Sequence, residues 1–192
     1  MLKSKKIAIT GSLGAGKTTA CQFFEQLGAC YISTDIIVHQ LLSPKTETGQ
    51  KVIVLFGNEV VVDGRIDRDK IAQRVFDNAD LLDQLEEIIH PQVLKELERK
   101  YLEISKNQDS LFVAEVPLLF EAGFDKFFDK SIAIISDTRR ESKKIMMTKE
   151  RKARMLPQKI VMNRSDFVLE NNGTIDELKQ NVKTLYNQLI QQ

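Results

Sequence analysis

Apolar positions along the chain fall into two periods that alternate from one end to the other. Five short runs have the length and content of buried strands: Lys6 to Thr10, Cys30 to Ser33, Leu111 to Val116, Ser131 to Ser136 and Asp166 to Glu170. Between them the spacing is helical. Thr18 to Leu27 puts Phe23, Phe24 and Leu27 on one face, and Asp80 to His90 sets Leu81, Leu82, Leu85, Ile88 and Ile89 against outward Asp80, Asp83, Glu86 and Glu87. Pro91 is placed to begin a following helix from its first turn, with Leu94, Leu97, Tyr101 and Leu102 continuing the apolar stripe. Strand and helix in alternation predict an α/β fold, a parallel five-stranded sheet with helices on both faces in three layers.

The stretch from Thr34 to Ser110 is far longer than a simple crossover between parallel strands requires. It reads as a mostly helical insertion, within which Val60 to Ile66 forms a tight turn bent at Asp63-Gly64. In a doubly wound sheet, ligands bind beyond the carboxyl ends of the strands, so an insertion there can build a second substrate's pocket. The chain shows no internal repeat, low-complexity segment or linker.

Composition narrows the picture a little. With 192 residues and 42% hydrophobic content the chain is long enough for one good core and one domain with insertions. A net charge of +1 argues against a general nucleic-acid binder, which needs a basic excess on one face. No apolar run approaches the roughly 18 to 20 residues that span a bilayer. The basic start, Met1 to Lys6, is followed by an apolar stretch that stops at a glycine loop, so no signal peptide and a cytoplasmic location are expected. Cys21 and Cys30 are too few for a disulfide framework and read as small buried hydrophobes, and His39 and His90 lack metal-ligand spacing.

The chemistry is concentrated in Gly11-Ser12-Leu13-Gly14-Ala15-Gly16-Lys17-Thr18, which matches the phosphate-binding loop G-x-x-x-x-G-K-S/T and follows directly on Ile7-Ala8-Ile9. Glycines let consecutive N–H groups curl around an anionic oxygen. Gly11, Leu13, Gly14, Ala15, Gly16, Lys17, Thr18 and Thr19 are therefore the expected ATP-binding residues, with Lys17 at the β- and γ-phosphates and the Thr18 hydroxyl on Mg²⁺. Late in the chain Arg139, Arg140, Lys143, Lys144, Lys149, Arg151, Lys152 and Arg154 form a basic cluster. Such a run is a solvated helix in many proteins, but phosphoryl transfer needs mobile cations, and a lid carrying Arg140 and Arg151 is the expectation here. Asp35, immediately past the second strand, has two readings from its position alone: the carboxylate that orients an acceptor hydroxyl, or the N-cap of a helix over Ile36 to Leu42.

Linked motifs at matching separations make the chain resemble the dephospho-coenzyme A kinase family nearly end to end. After the phosphate loop, Ile32-Ser33-Thr34-Asp35-Ile36-Ile37 is similar to the family's I-D-A-D-x-I, Ile89-His90-Pro91 to its L-H-P, and Val116-Pro117-Leu118-Leu119-Phe120-Glu121 to its V-P-L-L-F-E. Ser165 to Gly173 resembles A-D-x-V-I-x-N-x-G, the last strand and part of the adenine side. The resemblance implies phosphorylation of the ribose 3′-hydroxyl of dephospho-coenzyme A by MgATP, the last step of coenzyme A synthesis. It makes Asp35 the base, adds Asn172 and Gly173 to the ATP site, and sets His90, Pro117 and Leu118 with Asp35 on the acceptor side. Glu115, at the end of the third strand, then occupies the place of a carboxylate that holds Mg²⁺ through water, the other reading being an acid merely exposed at a strand end.

The implied organisation is one phosphate-loop kinase domain over residues 1–192: a nucleotide-binding core of about 1–34, 111–137 and 166–192, an acceptor-binding insertion of about 35–110, and a lid of about 138–165. Partners are ATP and dephospho-coenzyme A, with no nucleic acid and no membrane, in a monomer or small homo-oligomer. Departures from the family pattern are Ser33 for its first aspartate and, in the lid's R-x-x-x-Q-x-x-x-x-x-K, Met155 and Val161 for the glutamine and lysine, while Arg151 is kept and residues 141–150 look shortened. A nucleoside monophosphate kinase is the rival enzyme, against which Val116 to Glu121 stands. A GTP-dependent switch would need an N-K-x-D motif that the chain lacks. A catalytically silent nucleotide-binding protein is motivated only by Met155 and Val161.

Overall fold

The computed structural model describes residues 4–76, 78–105, 111–137 and 155–191. In chain order the elements are β1 (Lys6–Gly11), α1 (Lys17–Gln26), β2 (Cys30–Ser33), α2 (Thr34–Leu41), α3 (Glu47–Phe56), β3 (Val61–Val62), β4 (Arg65–Ile66), α4 (Arg68–Val75), α5 (Ala79–Ser105), β5 (Phe112–Glu115), β6 (Lys130–Ile135), α6 (Gln158–Arg164), β7 (Phe167–Glu170) and α7 (Ile175–Gln191). They group into two compact units, one built from the chain up to Ser33 together with the chain from Lys100 onward, the other from Thr34–Arg99.

The first unit is a five-stranded sheet in the order β2-β5-β1-β6-β7, with every neighbouring pair parallel. Its central strands are apolar without interruption because both faces are covered. Ile7, Ala8 and Ile9 of β1, Val113 and Ala114 of β5, and Ile132, Ala133 and Ile134 of β6 are all fully buried. On one face, α1 and α7 close over Ile7, Ile9, Val113, Ile132 and Ile134 with Ala20, Cys21, Phe24, Leu178, Val182, Leu185 and Leu189. The spacing of the last four residues is that of one helical stripe, and α7 starts from a reciprocal cap. There the Thr174 N–H donates to Glu177 Oε2 at 2.8 Å and the Glu177 N–H to Thr174 Oγ1 at 3.3 Å.

The edge strand β7 is held to β6 by Asp166, just before it. Its Oδ2 accepts from the Ser131 N–H at 2.8 Å and the Ser131 hydroxyl at 2.9 Å, while Oδ1 takes the Lys130 ammonium at 3.0 Å. Partial burial opposes the charge on Asp166, but these donors outweigh it and hold the carboxyl below its usual range.

In the second unit, Val52, Phe56, Val60, Ile66 and Ile71 are buried. The bend between β3 and β4 has Asp63 at φ 50° and Gly64 at φ 73°, the paired positive values of a two-residue hairpin turn. Thr46 caps α3 by accepting from the Gly49 N–H at 2.9 Å, and Asp67 caps α4 by accepting from the Asp69 and Lys70 N–H groups.

Two expectations about the long helical stretch are corrected. One continuous helix, α5, runs through Pro91 where two had been expected. The proline leaves the Glu87 carbonyl without its helical donor, a loss that the buried stripe of Leu85, Ile89, Val93, Leu97 and Tyr101 on both sides of it offsets. That stripe repeats every four residues, so Leu102 falls off it and is 49% exposed. Tyr101 is anchored at both ends, its ring 5.6 Å from that of Phe112 and its hydroxyl donating to the Ser4 carbonyl at 2.8 Å. A third correction is Cys30, which is half-buried on the edge strand β2, whereas Cys21 is fully buried as expected.

At Gly11, the last residue of β1, φ is +121° and an added Cβ would stand 2.0 Å from the Ile134 carbonyl oxygen. Gly11→Ala is therefore expected to destabilise the protein by at least about 2 kcal/mol, through backbone strain and a separated β1–β6 pair. Chemical denaturation followed by far-UV circular dichroism measures this, and a wild-type midpoint would show that the close approach is not needed.

Candidate active site

The loop between β1 and α1 turns through Gly14 at φ 71° and Gly16 at φ 92°, a region closed to most side-chain-bearing residues. Lys17 opens α1 and is buried, its Nζ donating to the Gly11 carbonyl at 3.0 Å and the Ser12 carbonyl at 2.7 Å. The ammonium thus lies across the mouth of its own loop. The Ala20 N–H bonds the Gly16 carbonyl at 2.9 Å, so the helix begins at the last glycine.

Glu115 stands at the end of β5, in register with Ile9 of β1 on one side and Ser33 of β2 on the other. It is only 8% exposed, which removes the reading of an acid left in solvent at a strand end. Its Oε1 accepts from the Thr18 hydroxyl at 2.9 Å and its Oε2 from the Tyr31 hydroxyl at 2.8 Å. Burial, then the hydrogen bond and charge of Glu115, push the Tyr31 hydroxyl well above its ordinary pKa. Burial, reinforced by the same charge, does likewise to the Cys21 thiol, which is therefore no nucleophile.

On the other side of the loop, the Asn171 side-chain amide donates to the Ala15 carbonyl at 2.8 Å. Asn172 accepts from the Asp137 N–H through Oδ1 at 2.7 Å, and a Cβ added at Gly173 would meet the end of the Glu177 side chain, which would have to move aside. Sequence reasoning selected Asn172 and Gly173 and passed over Asn171. The signal was available, since Asn171 is the fixed asparagine of N-x-G and Asn172 occupies its variable position.

The hexapeptide from Val116 to Glu121 leaves β5 beside the loop. The Thr10 hydroxyl donates to the Pro117 carbonyl at 3.3 Å, and Glu121 Oε1 accepts from the Leu156 N–H at 2.8 Å. Arg164 of α6 lies 4.4 Å over the Phe120 ring. Val161, where the family pattern has a lysine, is buried on α6.

In the second unit, Asp35 is exposed in the first turn of α2, which already begins at Thr34. It therefore lies inside the helix and is not its flanking cap, while its charge still complements the helix dipole. His90 is half-buried in the middle of α5, where burial lowers its pKa. It caps no helix end. Arg140 and Arg151, with the basic cluster around them, lie outside the described residues.

Among the described residues no group of three or more His, Cys, Asp and Glu side chains could hold a metal by itself. The Thr18 hydroxyl and Glu115 carboxylate nevertheless meet as an all-oxygen pair beside the phosphate loop. That donor set suits Mg²⁺, which keeps several waters and takes its remaining ligands from substrate phosphates.

A parallel sheet with this loop directly after β1, and a buried carboxylate on the adjacent strand facing the loop's threonine, is the arrangement of the phosphate-loop kinases. The fold is shared with a shikimate kinase from Aquifex aeolicus at a TM-score of 0.51 and 14% identity, covering 95% of this chain and 96% of that one. It is shared more fully with a Thermus thermophilus protein, at a TM-score of 0.80 and 28% identity over 98% and 99% of the two chains. The family model for dephospho-CoA kinase matches residues 5–177, and the chain belongs to that family. It is 43% identical to the dephospho-CoA kinase of Chlamydia abortus, over 97% of this chain and 96% of that protein. With the enzyme of the same name from Protochlamydia amoebophila it shares 41% identity, over 98% of each.

Glu115→Gln preserves shape and removes the charge. If the carboxylate holds Mg²⁺ through water, the variant needs about ten to a hundred times more Mg²⁺ for half-maximal rate, the usual consequence of losing an outer ligand contact. Initial rates across a magnesium titration, with a thermal melt to check folding, measure this. An unchanged magnesium dependence would confine Glu115 to its two hydroxyl hydrogen bonds.

Proposed function

We propose that the protein transfers the γ-phosphoryl group of ATP to the ribose 3′-hydroxyl of dephospho-coenzyme A, giving coenzyme A and ADP in the last step of coenzyme A synthesis. The observation that carries this reading is the built phosphate loop, with Lys17 across it and Thr18 on Glu115, in a chain whose family match extends from residue 5 to residue 177.

In this reading the N–H groups from Leu13 to Thr19 receive the triphosphate, and Lys17 exchanges the Gly11 and Ser12 carbonyls for β- and γ-phosphate oxygens. Its charge counts most as the γ-phosphoryl leaves. Thr18, and Glu115 through water, would hold Mg²⁺, which when bound neutralises charge on the β- and γ-oxygens. Asp35 orients the 3′-hydroxyl and takes its proton as the oxygen attacks phosphorus and the bridging oxygen departs with ADP. Asn172 and Gly173 serve the adenine side; His90, Pro117 and Leu118 contact the acceptor. Arg140 and Arg151 approach the transferred group from a lid of about 138–165, which closes over a core of about 1–34, 111–137 and 166–192, with about 35–110 as the acceptor-binding segment. The setting is cytoplasmic, in a monomer or small homo-oligomer.

Turnover of dephospho-coenzyme A, AMP, CMP and dGMP with MgATP tests the assignment. Dephospho-coenzyme A is expected to exceed each nucleotide in kcat/KM by at least about a hundredfold, the scale on which a site built for one acceptor's polar groups rejects another. Comparable values for AMP or CMP would make it a nucleoside monophosphate kinase, and no turnover of any would leave a nucleotide-binding protein without catalysis.

Asp35→Asn tests the base. Asparagine matches aspartate in shape but takes no proton at neutral pH, so kcat should fall by about 10² to 10⁴ with the KM for ATP changed by no more than about twofold. The loss is expected toward the lower end, since a loose transition state asks less of its base. A variant keeping more than about a third of wild-type kcat, a barrier change below roughly 0.7 kcal/mol, would move the search to another carboxylate.

A further inference from the structure

We propose that Asn171 is a positioning residue for the phosphate loop: by holding the Ala15 carbonyl, its side-chain amide turns the Gly16 N–H toward the nucleotide's phosphates. The inference rests on reading this loop as the ATP site and adds a residue that acts on it from another strand.

Asn171 is well placed to act as a fixed post. Its own N–H donates to the Ile135 carbonyl at 2.7 Å, extending the β6–β7 pairing one residue beyond Glu170. The next residue, Asn172, is pinned through its side chain to the Asp137 N–H at 2.7 Å. From this base the Asn171 amide spans to Ala15 at 2.8 Å, in a contact between residues 156 apart in sequence. No cis peptide occurs among the described residues, so the Ala15–Gly16 peptide is trans and planar. Its C=O and N–H point in opposite directions. Fixing the oxygen on the Asn171 side therefore fixes the Gly16 N–H on the other side.

Gly16 itself is shaped to this contact. Besides its φ of +92°, an added Cβ would stand 2.7 Å from Asn171 Nδ2. Glycine at this position thus makes room for the amide as well as for the turn.

The other restraints on the loop differ in kind. The carbonyls of Gly11 and Ser12 are held by Lys17, the group that must turn to the phosphates when the nucleotide binds. The Ser12 N–H is spent on the Ile134 carbonyl at 3.1 Å, anchoring the loop's start to β6. Asn171 anchors the loop's end and is not called upon by that exchange. Once Lys17 leaves its carbonyl partners, this amide keeps the donor array oriented, which is preorganisation of the kind that makes N–H groups effective toward developing charge.

The test compares Asn171→Ala and Asn171→Asp with wild type. Measured are the KM for ATP, the KM for dephospho-coenzyme A, and inhibition by tripolyphosphate and by adenosine, with a thermal melt for each variant. Asn171→Ala should raise the KM for ATP and the inhibition constant of tripolyphosphate by about tenfold, the upper range for one lost hydrogen bond. The KM for dephospho-coenzyme A and the inhibition constant of adenosine should stay within about twofold. Asn171→Asp, which sets a carboxylate against the Ala15 oxygen, should be at least as impaired as the alanine variant. Asn171→Ser replaces it if it fails to fold.

Adenosine weakened as much as tripolyphosphate would make Asn171 an adenine contact and overturn the proposal. A lower melting temperature with an unchanged KM for ATP would overturn it in favour of a purely structural bond. Lys17→Ala separates this from the reading beneath it. If Lys17→Ala leaves tripolyphosphate inhibition intact, the loop is not the phosphate site; if it abolishes inhibition while the Asn171 variants match wild type, only the positioning role is lost.

Discussion

Everything in the site depends on how closely β1 passes β6 at Gly11. There the backbone turns out of the sheet so near Ile134 that a methyl group has no room, and the next N–H, that of Ser12, bonds the Ile134 carbonyl. A loop that begins from a point held this firmly has few conformations left to choose from. Gly14 and Gly16 supply the positive φ values it still needs, and α1 starts at once with Lys17. Ordering a glycine-rich segment costs more conformational entropy than any other. The buried strands on both sides, packed beneath α1 and α7, offset that cost from outside the loop.

The buried carboxylate of Glu115 makes a different argument. A charge taken out of water destabilises a fold unless its oxygens are satisfied, and here both are, by Thr18 and Tyr31. Even a fully bonded buried charge does little for stability compared with an apolar side chain of the same volume. Its neighbours on β5, Val113 and Ala114, are apolar and fully buried, so the strand could have continued that way. That it ends in a carboxylate facing the loop's hydroxyl is better explained by chemistry than by packing.

Much of the sheet was legible because parallel strands covered on both faces read as unbroken apolar runs. All five expected strands are present with ends shifted by at most one residue, and the Asp63-Gly64 bend is where its turn chemistry puts it. Local rules failed where tertiary packing overrode them. Pro91 signals a helix start, yet an apolar stripe on both sides carries the helix through it. Cys30 looked like core, but β2 is an edge strand with a partner on only one side. Asn171 is a different case: the N-x-G pattern marks it as a fixed position, but its partner Ala15 lies 156 positions away, and no local pattern says which carbonyl its side chain holds.

The phosphate loop is short, but four strand ends meet around it: Gly11 of β1, Glu115 of β5, Ile134 of β6 and the residue following β7. Their relative heights are set by the parallel register, in which Ile9 lies opposite Glu115 and Gly11 opposite Ile134. Side chains alternate along a strand, so a slip of one residue in β5 would turn Glu115 away from Thr18 and bring an apolar neighbour to the loop. The buried residues Ile7, Ile9, Val113, Ile132 and Ile134 forbid such a slip, because it would send the strands' side chains to the wrong faces. The hydrophobic pattern that specifies the sheet is thus also what places the carboxylate, and the chemistry of the loop is inherited from packing in the core beneath it.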